Sequence, residues 1–155
     1  MITISFDVEK QIVTGKPNED TNKLVNNSCN YLELCFNFKG EEWENLTKRV
    51  LFKSKNSKVY CKQLNNENKV MVPWEVLVDD SFTFSLYGIG DENLRITTTQ
   101  KKVRLIDSGF DSKVEEALPP TPSIVDDIYN KLNNTIEMEV TYSDGSTDTF
   151  DVVVK

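Results

Sequence analysis

Histidine is absent from all 155 residues. Its absence removes Ser-His-Asp and Cys-His catalysis, histidine-based zinc sites and histidine proton shuttles together. Cysteine is scarce and odd in number, at Cys29, Cys35 and Cys61, with no metal-ligand spacing among them. They read as reduced thiols, with Cys35 and Cys61 buried in strands as small apolar groups. No apolar run approaches the roughly 20 residues of a membrane span. The opening, MITISFDVEK, alternates like a strand and lacks the apolar core of a signal peptide. The expectation is a chain made in the cytoplasm, with no membrane partner.

What is present is charge, unevenly placed. The net charge is −7, yet residues 1–110 hold 15 basic and 15 acidic side chains, and residues 111–155 hold 3 basic and 10 acidic. A neutral head and an acidic tail do not make a phosphate-tracking surface, so nucleic acid is not an expected partner. The break in charge marks a boundary near Gly109-Phe110.

The head reads as strands. Ile2, Ile4 and Phe6 alternate with Thr3, Ser5 and Asp7, as a half-buried strand does. Residues 11–14 form a second short strand, and Leu24-Val25 a brief edge strand in a polar stretch. In residues 31–38, Leu32, Leu34, Phe36 and Phe38 share the face expected to meet the core. Residues 40–43 are a turn that folds Trp43 back over the sheet. Residues 49–53 and 58–64 flank a hairpin turn. Val70 to Val72 leads into Pro73, which can open a single helical turn at its first position. Phe82, Phe84 and Leu86 alternate in a further strand, broken at Gly88-Ile89-Gly90-Asp91. Residues 94–98 and 102–106 then close the head as another hairpin. About eight to ten short strands with regular turn signals predict an antiparallel β-sandwich.

The remainder has a different character. Residues 111–122 are an acidic linker stiffened by Pro119, Pro120 and Pro122. A short amphipathic helix follows over residues 123–134. Thr121 can cap it with Pro122 in the first turn, or Ser123 can cap it with Asp126 as its pair. Ile124, Val125, Ile128, Tyr129 and Leu132 share one apolar stripe, the candidate assembly interface. So short a helix is marginal alone, and the stripe must be covered by the body, the following hairpin or another subunit. Residues 135–155 form a C-terminal β-hairpin. An odd-length loop is expected, pairing Ile136 with Val154, Met138 with Val152 and Val140 with Phe150. The expected organisation is thus a head (1–110), a linker (111–122), a helix (123–134) and a hairpin (135–155), mainly all-β.

Nothing in the chain spells out a reaction. Gly88-Ile89-Gly90 lacks the third glycine and the following helix of a dinucleotide site. The acid pairs Asp79-Asp80, Asp91-Glu92 and Asp126-Asp127 read as solvated turns, although two carboxyls at the right separation could hydrolyse a glycosidic bond. Residues 144–148 resemble the opening of a calcium loop without its later glutamate, and read as a hairpin turn. No cofactor, metal or catalytic residue is expected. The rival to a purely structural role is a carbohydrate-binding module. Trp43, Trp74 and Tyr87 would then stack on host-wall glycans.

Several segments, in order, carry a family resemblance: residues 30–38, Trp43 within residues 42–47, Val72-Pro73-Trp74-Glu75-Val76-Leu77, residues 82–88 with 95–98, Ser108-Gly109-Phe110, the Pro-Thr-Pro run ending at Pro122, Ile128-Tyr129, and residues 141–147. Together they span nearly the whole chain. The chain resembles the N-terminal domains of tail and baseplate structural proteins from phages and prophages of Gram-positive bacteria, the group that includes baseplate upper proteins. The resemblance implies a non-enzymatic virion protein, made in the bacterial cytoplasm. Its sandwich head would dock onto other virion proteins, usually as a homo-oligomer. Many such proteins continue into a long fibre, whereas here one hairpin follows the helix.

Overall fold

The computed structural model describes residues 1–15, 23–114, 117–133, 137–141 and 147–151, with side chains as far as residue 129 except that of Ser112. Two compact units result, Met1–Thr121 and Pro122–Lys155. The first unit reaches past the charge break at residue 110 and takes in the proline-rich connector.

Among the described residues, nine strands build the first unit: β1 (Ile2–Glu9), β2 (Ile12–Gly15), β3 (Leu32–Lys39), β4 (Thr47–Ser54), β5 (Tyr60–Gln63), β6 (Lys69–Met71), β7 (Ser81–Ile89), β8 (Arg95–Thr97) and β9 (Lys101–Arg104). One sheet has the order β2-β1-β3-β6; the other runs β5-β4-β7-β8, with β9 also on β7. Alternation does the sorting. Ile4, Phe6 and Val8 on β1, and Leu32, Leu34 and Phe36 on β3, are buried. So are Val50 and Phe52 on β4 and Phe82, Phe84 and Leu86 on β7, while residues between them stay half-buried or exposed. The two inner faces meet through aromatic rings. Phe84 packs edge-on against Phe6 at 4.8 Å and Phe36 at 5.6 Å between centroids.

The sandwich is not wholly antiparallel, which corrects the sequence reading. β1 and β3 pair in parallel along their full length, from Ile2 with Leu32 to Glu9 with Lys39. A parallel neighbour needs a long crossover, and the turn, β2 and the polar stretch after it supply one. Leu24-Val25 serves as a tie within that crossover: Val25 forms an isolated parallel bridge with Ile106.

A second correction concerns the end of the head. β8 and β9 do not pair with each other. Both lie along one edge of β7, β8 against Tyr87–Ile89 and β9 against Ser81–Phe84. The register slips by one residue between them, as a bulge requires. Thr98 occupies the slip, and its hydroxyl accepts the Leu86 amide at 2.9 Å. Thr99 then donates its amide to the carbonyl of Gln11 in the turn between β1 and β2, at 2.9 Å. β7 is nine residues long, long enough to template both short strands in turn.

In the second unit, helix α1 spans Ile124–Asn133 and precedes β10 (Glu137–Thr141) and β11 (Thr147–Asp151). Ser123 is the cap, accepting the Asp126 amide on its hydroxyl at 3.2 Å, so the second of the two expected capping schemes applies. The hairpin pairs Met138 with Phe150 and Val140 with Asp148. The stretch 142–146 between its last pair is of odd length, as expected. The partners are shifted by two positions from those expected, which preserves the parity of the pairing. Residues 135–136 and 152–155, which the expected pairing also used, lie outside the described residues.

Candidate functional site

Several side-chain hydrogen bonds cluster where the chain leaves the head. Pro73 stands just ahead of a single 3₁₀ turn, Trp74–Leu77. Its fixed φ sets that turn, and buried Val76 and Leu77 anchor it to the core. The turn therefore holds Trp74 and Glu75 at the surface. Trp74 donates its indole N–H to the carbonyl of Pro119 at 2.9 Å. Glu75 receives two hydrogen bonds from Thr121, the amide to Oε2 at 3.0 Å and the hydroxyl to Oε1 at 2.6 Å. Tyr60 also donates to Glu75. The connector is thus clamped to the head at two points.

Charge at the clamp follows from this geometry. Partial burial pushes the Glu75 carboxyl up, but the hydroxyl and amide of Thr121 and the hydroxyl of Tyr60 together hold it below the usual glutamate range. Burial, then the Glu75 charge and the hydrogen bond to it, push Tyr60 above the usual phenol range. Both groups are favoured in the state that keeps the clamp closed at neutral pH.

Upstream, the exit strand is fixed independently. Asn26, a buried polar residue, accepts the Ser108 amide at 2.8 Å and the Asn27 side-chain amide at 3.1 Å. Its own amide donates to Ile106. Gly109 then turns the chain at a φ of +75°, which its missing side chain permits.

The expected assembly stripe is only partly covered. Ile124 and Ile128 are half-buried, whereas Val125 is 71% and Tyr129 54% exposed. The side chain of Leu132 lies outside the described residues. Asp126 and Asp127 sit in the helix's first turn, where a negative charge suits the helix dipole.

The three aromatic residues expected for glycan stacking do not share a surface. Trp43 is fully buried and donates its indole to the Lys10 carbonyl at 2.8 Å. Its ring fills the space above Gly88, where an added methyl group would lie 2.9 Å from it. Gly88 therefore sits inside β7 as the floor under Trp43, not at a strand break. Trp74 is half-buried with its N–H already used by Pro119. Tyr87 lies on the outer face of β7, its hydroxyl 3.4 Å from the Cys61 sulfur. Burial comes first among the causes that push its phenol above the usual range, followed by the hydrogen bond with Cys61. Burial of Trp43 removes it from any stacking platform.

The acid pairs belong to separate elements. Asp79 accepts the amide and side chain of Asn56, at 3.2 and 3.0 Å, and so braces the β4–β5 turn. Asp91 and Glu92 are exposed in the bend after β7. No group of three or more cysteine or acidic side chains is placed to hold a metal ion among the described residues. All three cysteines are free and half-buried, and Cys35 and Cys61 are not buried as their strand positions suggested. Cys35 and Cys61 take the outward strand positions. A shallow depression of about 210 Å³ lies between Ile2, Leu24, Val25, Tyr31 and Leu77, with Lys23 at its margin and no carboxylate in its lining. No helix among the described residues is long and apolar enough to cross a membrane.

Sequence reading missed Glu75 and Asn26. The tripeptide Pro73-Trp74-Glu75 marks a special turn, but nothing in its spacing names Thr121 as the partner. Comparison with known proteins finds no family model that matches this chain, and no curated protein that matches it.

Proposed function

We propose that the chain is a non-enzymatic structural protein of a bacteriophage virion, a tail, baseplate or fibre-anchoring component that works by protein–protein assembly. The observation that carries this reading is the clamp. A sandwich head spends Trp74 and Glu75 on fastening its own exit segment, and the next element is a helix with Val125 and Tyr129 exposed. Fixed exit and sticky helix suit a part that joins a head to a neighbour. The resemblance of the ordered segments to phage tail and baseplate domains points to the same role, with other virion proteins and further copies of the chain as partners.

Two measurements test it. Light scattering on the purified protein should give a mass above that of one chain. Labelled protein should also decorate virus particles under the electron microscope. A strict monomer that never joins particles would overturn the reading.

A further inference from the structure

The outward positions of the five-stranded sheet carry charge of one sign. They are the positions opposite in parity to buried Val50, Phe52, Phe82, Phe84 and Leu86. β4 places Arg49 and Lys53 there, β8 places Arg95, and β9 places Lys102 and Arg104. The other outward positions of these strands hold hydroxyl, amide, thiol and aliphatic side chains and not one carboxylate. Lys53, Arg95, Lys102 and Arg104 are exposed. The outward face of the other sheet differs, setting Asp7, Glu9 and Glu33 beside Lys39 and Lys69.

The head is neutral as a whole, so this face is a local concentration of cations. The opposite concentration lies in the same chain. Residues 111–155 hold 10 acidic against 3 basic side chains. Within them the hairpin register places Glu137 opposite Asp151, and Glu139 two positions along the same strand. Two such tails repel one another, whereas tail and basic face attract.

We infer that the basic face of the five-stranded sheet is the docking surface for the acidic region 111–155 of a second copy of the chain. This rests on the assembly reading above and specifies its contact. Such a contact is heterologous, joining one surface to a different one. Repeated, it closes a ring or grows a line of copies.

Zero-length carbodiimide cross-linking of the full-length protein tests it, using equal amounts of isotopically light and heavy chains. Expected are mixed-isotope links from Lys53 or Lys102 to carboxylates of residues 111–155. Raising salt from about 50 mM to about 500 mM should weaken association roughly tenfold, because exposed charges are screened. The pair Lys53→Glu and Lys102→Glu should weaken it similarly with the circular-dichroism spectrum unchanged. Adding Glu137→Lys and Glu139→Lys should restore it. Links confined to single chains, links to Asp7, Glu9 or Glu33, links equally abundant without the charge pairs, or a failure of rescue among folded variants would each overturn the inference. If association and particle binding persist under those results, only this contact fails. A monomer absent from particles takes the assembly reading with it.

Discussion

A single missing methyl group shapes one end of the sandwich. Gly88 lies under the Trp43 ring, and an added Cβ would sit 2.9 Å from Trp43 Cζ3 and 2.9 Å from Leu46 Cδ1. The leucine can swing aside. The indole cannot, because it is fully buried, hydrogen-bonded to Lys10 and packed on Phe38 at 5.1 Å. Lys10 takes part through its backbone, whose φ of 53° turns its carbonyl toward the indole. Overpacking of this kind costs about 1–3 kcal/mol. Gly88→Ala should therefore lower the thermal midpoint by roughly 3–10 °C, read by circular dichroism. An unchanged midpoint would mean that the Trp43 ring has room to move. From sequence alone this glycine reads as punctuation, since a turn glycine and a packing glycine look identical without the residue above them.

At the scale of elements, the clamp and the helix make separable predictions. Glu75 is held as a carboxylate by Thr121 and Tyr60, so its folded pKa lies below its ordinary value of 4.5. The unfolded or unclamped chain then binds the proton more readily. The contribution is fully present above pH 4.5 and is lost as pH falls through the folded value. Cleavage within residues 111–121 by an acid-active protease should rise below that pH, and Glu75→Gln should flatten the dependence. Equal cleavage at pH 7 and pH 3.5 would remove the carboxylate from the clamp. Tyr60 acts at the other extreme: its pKa is raised above 10.0, so its contribution holds below that pH and fades above it. On the helix, Ile128→Asp should reduce assembly while the head melts at its usual temperature. Wild-type mass by light scattering in that variant would exclude the stripe as an interface.

Much of this was legible in the chain. The strands of the head follow from period-two alternation, because a half-buried strand has no other way to sort its side chains. Ile4 and Phe6, or Phe82, Phe84 and Leu86, could be assigned to the core on that ground alone. Alternation names neither the neighbour nor the direction. It is satisfied equally by parallel and antiparallel partners, so the β1–β3 pairing and the shared edge of β7 stayed hidden. The exit at Ser108-Gly109-Phe110 was visible as a change in charge, but Asn26, which fastens it, lies far upstream among polar residues. The clamp was half visible, in the Pro73-Trp74-Glu75 turn and in the proline-rich segment that it holds.

For the whole molecule, the clamp sets where the head ends. A chain stopping at residue 110 keeps every head strand but loses the hydrogen bonds at Pro119 and Thr121. Each such bond contributes about 1 kcal/mol, somewhat more when a carboxylate accepts. A chain of residues 1–121 should therefore melt several degrees above one of residues 1–110, by roughly 3–10 °C. Coincident melting curves would show that the connector rides on the head without stabilising it.

The order β2-β1-β3-β6 puts β1 in the interior of its sheet. Its parallel mate lies 30 residues further along, from Ile2 to Leu32, and the tie from Val25 to Ile106 spans 81. Such distant partnerships are slow to find, on a scale of milliseconds to seconds for β-rich domains. Newborn copies would pass that interval with greasy strand faces uncovered. Uncovered faces on two copies can meet before either has finished folding, so refolding yield should fall steeply as protein concentration rises.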